Sequence, residues 1–189
     1  MLPYGQFRGC PGQNTTNTMH LVIQKIKDAC WAGKVTTALF LNIQGAFPYT
    51  VQDCLLHNMR EHGVPLFYIC LAEWKLSNCH THLKFDDFTS DWFAINNSTT
   101  QGCPLSVLYY VFYNMPLIAM ASSNGMSESL FGFVNNVMLL AVAKSLMETH
   151  AIVKNMVEWA QRTFAWSLSH NSSFELSKLA PHELPMFTS

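Results

Sequence analysis

The chain has 189 residues and a mass of 21.4 kDa, with 49% hydrophobic residues, only 12% charged residues and a formal net charge of -1. Against about 25% charged residues in an ordinary soluble chain, this excludes intrinsic disorder and predicts an unusually apolar surface. The length suits one domain, residues 1–189, and a near-neutral charge supplies no general pull toward phosphate backbones or anionic membranes. Six cysteines, Cys10, Cys30, Cys54, Cys70, Cys79 and Cys103, show no paired spacing and read as small buried hydrophobes of a reducing compartment. The N-terminus has no basic stretch followed by an apolar one, so an intracellular location, cytoplasm or nucleus, is expected.

Helix and strand signals alternate along the chain. Asn14 can cap a helix carrying Met19, Val22, Ile23, Ile26 and Ala29 at helical spacing, stopped by Gly33. Val35 to Ile43 predicts a strand buried on both faces. Thr50-Val51-Gln52-Asp53 reads as a capping box before Leu55, Leu56 and Met59, closed by Gly63, and Pro65 opens a further helix to about Leu76. His80 to Phe85 and Trp92 to Ile95 flank the polar stretch 86–91 and predict a hairpin. Leu105 to Ala121 predicts a buried helix entered through Gly102-Cys103-Pro104.

Leu130 to Val134 and Val137 to Ala143 predict two strands joined by a tight Asn135-Asn136 turn, because Asn tolerates positive φ. Ser145-Leu146-Met147-Glu148 predicts a second capping box, followed by Ile152, Val153, Met156, Val157 and Ala160 on one helical face. From Trp166 onward the chain reads as irregular, with a strand near Phe174 to Leu176 and fraying at Pro181 and Pro185.

Taken singly, the chemical motifs are bland. Cys79, His80 and His82 cluster without the fourth ligand of a zinc site and read as a solvated hairpin edge. Cys103 stands at a helix start, where a thiol is activated, but no partner histidine is identifiable. No charge occurs from Trp92 through Ser127, which raises an alternative reading as a membrane-associated protein. The apolar run there is shorter than the roughly 20 residues a span needs and is broken by Asn114 and Pro116.

Three segments acquire meaning together. Ala38-Leu39-Phe40-Leu41-Asn42-Ile43-Gln44-Gly45-Ala46-Phe47 resembles motif A of reverse transcriptases of the non-LTR retrotransposon and group II intron type. Thr100-Gln101-Gly102-Cys103-Pro104-Leu105-Ser106 resembles their motif B, and Phe131-Gly132-Phe133-Val134-Asn135-Asn136 their motif C. The run from Gln6 to Thr16 is similar to the fingers signature, and Leu168-Ser169-His170-Asn171 with Lys178 to motif D. The resemblance covers roughly residues 5–180 in the family's order. It implies an α+β right-hand palm, a small antiparallel sheet packed on helices, with partial fingers and no thumb. It also implies RNA-directed DNA polymerisation by two Mg²⁺ or Mn²⁺ ions about 3.5 to 4 Å apart. Phe47 would lie under the incoming sugar, Gln101 and Gly102 would admit template and nucleotide, and Lys178 would be a nucleotide-binding position.

The sequence departs from this pattern where the chemistry is concentrated. Asn42, Asn135 and Asn136 stand at the positions of the family's three aspartates, so three negative charges are missing between two dications. Asp86, Asp87 and Asp91 belong to a different hairpin, and no other acidic residue is expected near the site. Cys10 and Gln13 replace commonly basic fingers positions. The expectation is a degenerate copy with its metals lost and its activity gone, leaving at most weak nonspecific contact with RNA or DNA. A non-catalytic RNA or primer-template binding module is the alternative.

Overall fold

The computed structural model describes residues 5–7, 12, 14–95, 98–100, 102–120, 127–158, 163–175, 177 and 180–184. Its elements run α1 (Thr15–Trp31), β1 (Val35–Gln44), α2 (Gln52–Glu61), α3 (Leu66–Leu76), β2 (Cys79–Thr81), β3 (Lys84–Phe85), β4 (Phe88–Thr89) and β5 (Phe93–Ile95). There follow α4 (Pro104–Ala119), β6 (Glu128–Phe133), β7 (Asn136–Ala143), α5 (Leu146–Glu158), α6 (Thr163–Ser169), β8 (Ser173–Phe174) and β9 (Ala180–Leu184). The class is mixed helix and strand, and every strand pairing is antiparallel.

β1 is the axis of the five-stranded sheet. It pairs β7 on one side, from Val35 opposite Ala143 to Asn42 opposite Asn136, and both β8 and β9 on the other. β6 completes the sheet beyond β7. Alternation along these strands sorts side chains into two cores. Leu41, Ile43, Val137, Leu139 and Leu130 face α2, α3, α4 and α6, whereas Ala38, Met138, Leu140 and Phe131 pack with Val22 of α1 and with Phe7. Helices cover both faces, which is why Val35 to Ile43 carries no simple polar alternation.

Local signals explain most boundaries. The Asn14 side chain accepts from the Asn17 amide at 2.9 Å, capping α1 as its type predicts. Gly63, at φ +70°, ends α2 while the Val64 amide returns to the Met59 carbonyl at 3.0 Å. Ser145 accepts from the Glu148 amide, and the Glu148 carboxylate reaches back to the Lys144 amide at 3.0 Å, a capping box shifted by one donor.

Other expectations are corrected. Thr50 is not a cap: its buried hydroxyl donates to the Ala46 carbonyl at 2.8 Å, and Val51 holds the cap position of α2 without a side-chain hydrogen bond. The β6–β7 turn comes one residue earlier than the Asn pair predicts, with Phe133 paired to Asn136 and Val134 at φ +58°. That conformation costs a β-branched residue on the order of 1–3 kcal/mol, and it is held by a bond from Asn114 to the Val134 carbonyl at 3.2 Å. Among the described residues from Trp166 onward, α6, β8 and β9 take the place of the expected irregular stretch. Trp166, on α6, is buried, and β9 accommodates Pro181 because it lies at the sheet edge.

The membrane-associated alternative finds no support: among the described residues no helix is long and apolar enough to cross a membrane. Within the uncharged stretch, α4 is a core helix that buries Tyr110, Tyr113, Leu117 and Ile118. The apolar surface that the composition predicts is spread over several elements, α3 among them, where Leu66, Phe67 and Trp74 are exposed.

Gly5 marks a close approach of two backbone segments. The chain at Gln6 forms a bridge to Gly132, and a Cβ on Gly5 would stand 2.0 Å from the Leu130 carbonyl oxygen. Backbone cannot yield there as a side chain would. Gly5→Ala is expected to lower stability by about 1–3 kcal/mol, several degrees in Tm for a chain of this size, measured by thermal melts.

His170 supplies a pH test. Its ring stacks on Trp166 at 4.8 Å, its Nδ1 lies 3.1 Å from the Trp166 carbonyl, and its Nε2 lies 3.4 Å from the Asn58 amide nitrogen. Nε2 therefore accepts from Asn58, an arrangement that protonation would oppose. Burial lowers the pKa below its ordinary 6.5, with the Trp166 carbonyl opposing. Because the unfolded chain then binds the extra proton more readily, stability is complete above the unfolded value and declines as pH falls below about 6.5 toward the folded value. Denaturant melts across that range should show the decline, and His170→Gln should flatten it.

Candidate functional site

At the end of β1 the strand meets the β6–β7 turn. The register sets Asn42 directly opposite Asn136, and the Ile43 amide donates to the Asn135 carbonyl at 2.8 Å, locking the turn onto the strand. The three asparagines thereby converge: Asn135 Nδ2 donates to Asn42 Oδ1 at 3.0 Å, and Asn136 Nδ2 donates to Asn135 Oδ1 at 3.3 Å. Residues 93 positions apart in sequence share one cluster, partly open to solvent.

One participant escapes the sequence. Glu175 follows β8; its amide donates to the Asn42 carbonyl at 2.8 Å, and its Oε2 accepts from Asn42 Nδ2 at 2.8 Å. The expectation that no acidic residue lies near the site is therefore overturned. The pairing of β8 with the end of β1 delivers a carboxylate from 133 residues away. The only signal was the strand near Phe174, which names no partner.

The donor set is poorly matched to two hard dications. Such ions require several anionic oxygens. Here three amides and one carboxylate form a hydrogen-bonded chain, each amide donating to its neighbour's oxygen and the last to Glu175. Among the described residues no group of three or more His, Cys, Asp or Glu side chains could hold a metal ion. The Cys79, His80 and His82 set is likewise not gathered: β2 ends at Thr81, and the His82 ring instead meets Trp92 edge-on at 4.3 Å.

The remaining site residues surround this cluster unevenly. Phe47 is half-buried with its ring 5.7 Å from Tyr110, and its carbonyl accepts from the Thr99 amide at 2.8 Å, which ties the segment after β1 to the turn before α4. Gly102 occupies that turn at φ +88°. Gln101 and Lys178 lie outside the described residues, as do Cys10 and Gln13.

Cys103 has a partner that sequence reasoning did not identify. Lys75, at the end of α3, places Nζ 3.2 Å from Cys103 Sγ. That contact lowers the thiol pKa, assisted by the Leu105 and Ser106 amides of the first turn of α4. Cys54 is pushed the other way by burial and by Asp53. Iodoacetamide labelling followed by peptide mapping should therefore modify Cys103 before Cys54, with the Cys103 rate persisting to lower pH than that of Cys54. Lys75→Met should slow Cys103 labelling selectively; an unchanged rate would show that the lysine does not activate it.

No protein-family model matches the chain, and no curated protein matches it in sequence. Solved structures do. The apo telomerase of Candida tropicalis truncated from its C-terminal domain is similar with a TM-score of 0.70 and 10% identity, over 93% of this chain and 36% of that one. The same organism's telomerase with a TWJ fragment of telomeric RNA gives 0.67 and 12%, over 93% and 30%. Telomerase of Candida albicans with a TWJ fragment gives 0.61 and 11%, over 98% and 32%. The chain thus shares its fold with part of these telomerases, and it spans about a third of their length.

Proposed function

We propose that the chain is a reverse-transcriptase-like palm with partial fingers, of the non-LTR retrotransposon or group II intron type, whose polymerase centre is inactive. The observation that carries this reading is the meeting of Asn42, Asn135 and Asn136 at the junction of β1 and the β6–β7 turn. Motifs A and C of that family supply metal-binding aspartates from two distant segments, and these asparagines occupy the matching positions. Phe47, Gln101, Gly102 and Lys178 are the corresponding nucleotide and template positions in this reading. Neutral amides cannot offset the repulsion of two dications, and the single carboxylate of Glu175 is engaged by Asn42.

Given primed RNA template, nucleotides and Mg²⁺ or Mn²⁺, the purified protein is expected to extend no primer above a control without protein. Template-dependent extension that survives repurification would overturn the inactivity. With a net charge of -1 and no basic fingers pair, single-stranded RNA should bind only in the nonspecific range, on the order of 10⁻⁴ to 10⁻⁶ M, and weaken with salt.

The site itself is tested by restoring its charges. In chelator, Asn42→Asp/Asn135→Asp/Asn136→Asp should be less stable than the parent by about 1–3 kcal/mol, because carboxylates then face one another and Glu175. Mg²⁺ should raise the Tm of that variant and leave the parent unmoved, since a ligand of the folded state stabilises by mass action. Adding Glu175→Gln should recover part of the loss in chelator. Equal metal responses in parent and variant would mean that the three positions do not form one site.

A further inference from the structure

The hairpin formed by residues 79–95 stands apart from the sheet. Its outer tier pairs β2 with β5 and its inner tier pairs β3 with β4, and neither joins the five-stranded sheet. The inner tier is closed by the Leu83 and Ser90 backbone, with the Ser90 amide on the Leu83 carbonyl and the Leu83 amide on Ser90 Oγ, both at 2.9 Å. Asp86 turns the tip at φ +46°, a conformation that Asp tolerates. The inner tier is thus closed by its own backbone and Ser90, which leaves the side chains at its tip exposed.

Those side chains are aromatic and acidic together. Phe85 and Phe88 face one another across the tip at 63% and 61% exposure, and Trp92 is 66% exposed. Asp86 and Asp87 lie between the two phenylalanines, and Asp91 adjoins the tryptophan; all three are exposed, and none has an ion-pair partner among the described residues. Lys84 against three aspartates leaves the hairpin negative. Trp92 meets the His82 ring edge-on, yet all three rings stay mostly exposed with aspartates adjoining them in the chain, a combination that favours a partner both cationic and able to stack.

We propose that this hairpin docks an arginine-rich polypeptide segment. A guanidinium stacks on an aromatic face and at the same time presents paired N–H donors to a carboxylate, so each arginine uses both features of the surface. Lysine, a compact hydrated ammonium, uses the charge but gains less from the rings. The charges also exclude competing occupants. Nucleic-acid bases would stack on Phe85, Phe88 and Trp92, but their phosphates would meet Asp86, Asp87 and Asp91. A second copy of this hairpin brings aspartates against aspartates, and an anionic membrane is repelled likewise. The proposal is independent of the polymerase reading, since it uses none of the residues at Asn42, Asn135 and Asn136.

The test measures fluorescence anisotropy of three labelled probes on the intact chain: an alternating Arg-Gly peptide, a Lys-Gly peptide of equal length, and oligouridylate. The Arg-Gly peptide is expected to bind tightest and the Lys-Gly peptide several-fold more weakly. Asp86→Asn/Asp87→Asn/Asp91→Asn should weaken Arg-Gly binding by about tenfold, three exposed charge pairs each contributing a fraction of a kcal/mol. Phe85→Ser/Phe88→Ser/Trp92→Ser should remove the preference for arginine over lysine. Amide chemical shifts of the unsubstituted chain report the binding place without any variant and should move within residues 79–95. Arg-Gly binding that ignores the Asn variant, shifts that map elsewhere, or oligouridylate binding tighter than the peptide would each overturn the proposal; the last would make the hairpin a base-stacking platform.

Discussion

The antiparallel register of β1 on β7 is the constraint on which the rest of the structure depends. From Val35 opposite Ala143 to Asn42 opposite Asn136, it decides which side chains enter which core. A slip of one residue would exchange the two faces, sending Leu41 and Ile43 toward α1 and Ala38 toward α4. Both faces are covered by helices of different size and shape, so the slipped sheet would be overpacked on one side and hollow on the other. The same register places Asn42 beside the β6–β7 turn. Geometry at the candidate site is therefore inherited from the packing of apolar residues far from it, and the site needs no ligand to be assembled.

What the sequence discloses divides along physical lines. Signals that act within a few residues are legible: Asn14 as a cap, Gly63 as a stop, the two-sided burial of β1, the helix after Pro104. Signals that depend on a distant partner are not. Thr50 has the type and spacing of a cap, yet burial obliges its hydroxyl to bond the nearest free carbonyl, that of Ala46. The Asn pair at 135 and 136 has the chemistry of a turn, but the sheet needs Asn136 in the ladder, so the positive φ passes to Val134. Glu175, Lys75 and Trp166 were invisible as partners because each acts across more than a score of residues on an element whose packing no local pattern specifies.

Asparagine and aspartate would behave differently at these three positions in physical terms. A carboxylate only accepts, so aspartates at these three positions would repel one another and depend on bound cations or solvent for relief. An amide donates and accepts. The asparagines can therefore pass hydrogen bonds from Asn136 to Asn135 to Asn42 and on to Glu175, which collects the last donor as a charge-assisted bond. Amides at these positions form a hydrogen-bonded polar chain without needing a cation to hold the strand end and the turn together.

This separation of fold from chemistry bears on how the likeness to telomerase is to be weighed. The residues that secure the sheet, such as Leu41, Ile43, Leu139 and Leu140, are buried and touch none of the metal chemistry, whereas Asn42 and Asn135 sit half-exposed at the rim and Asn136 is open to solvent. Substitution at the rim removes charge without opening a cavity, so it leaves the core at full strength. A backbone can then keep a TM-score of 0.70 at 10% identity while the groups at its centre change their chemical character. Function has to be read from the polar atoms at the end of β1, where the Asn42 and Asn135 oxygens already accept hydrogen bonds and the Glu175 carboxylate holds the Asn42 amide.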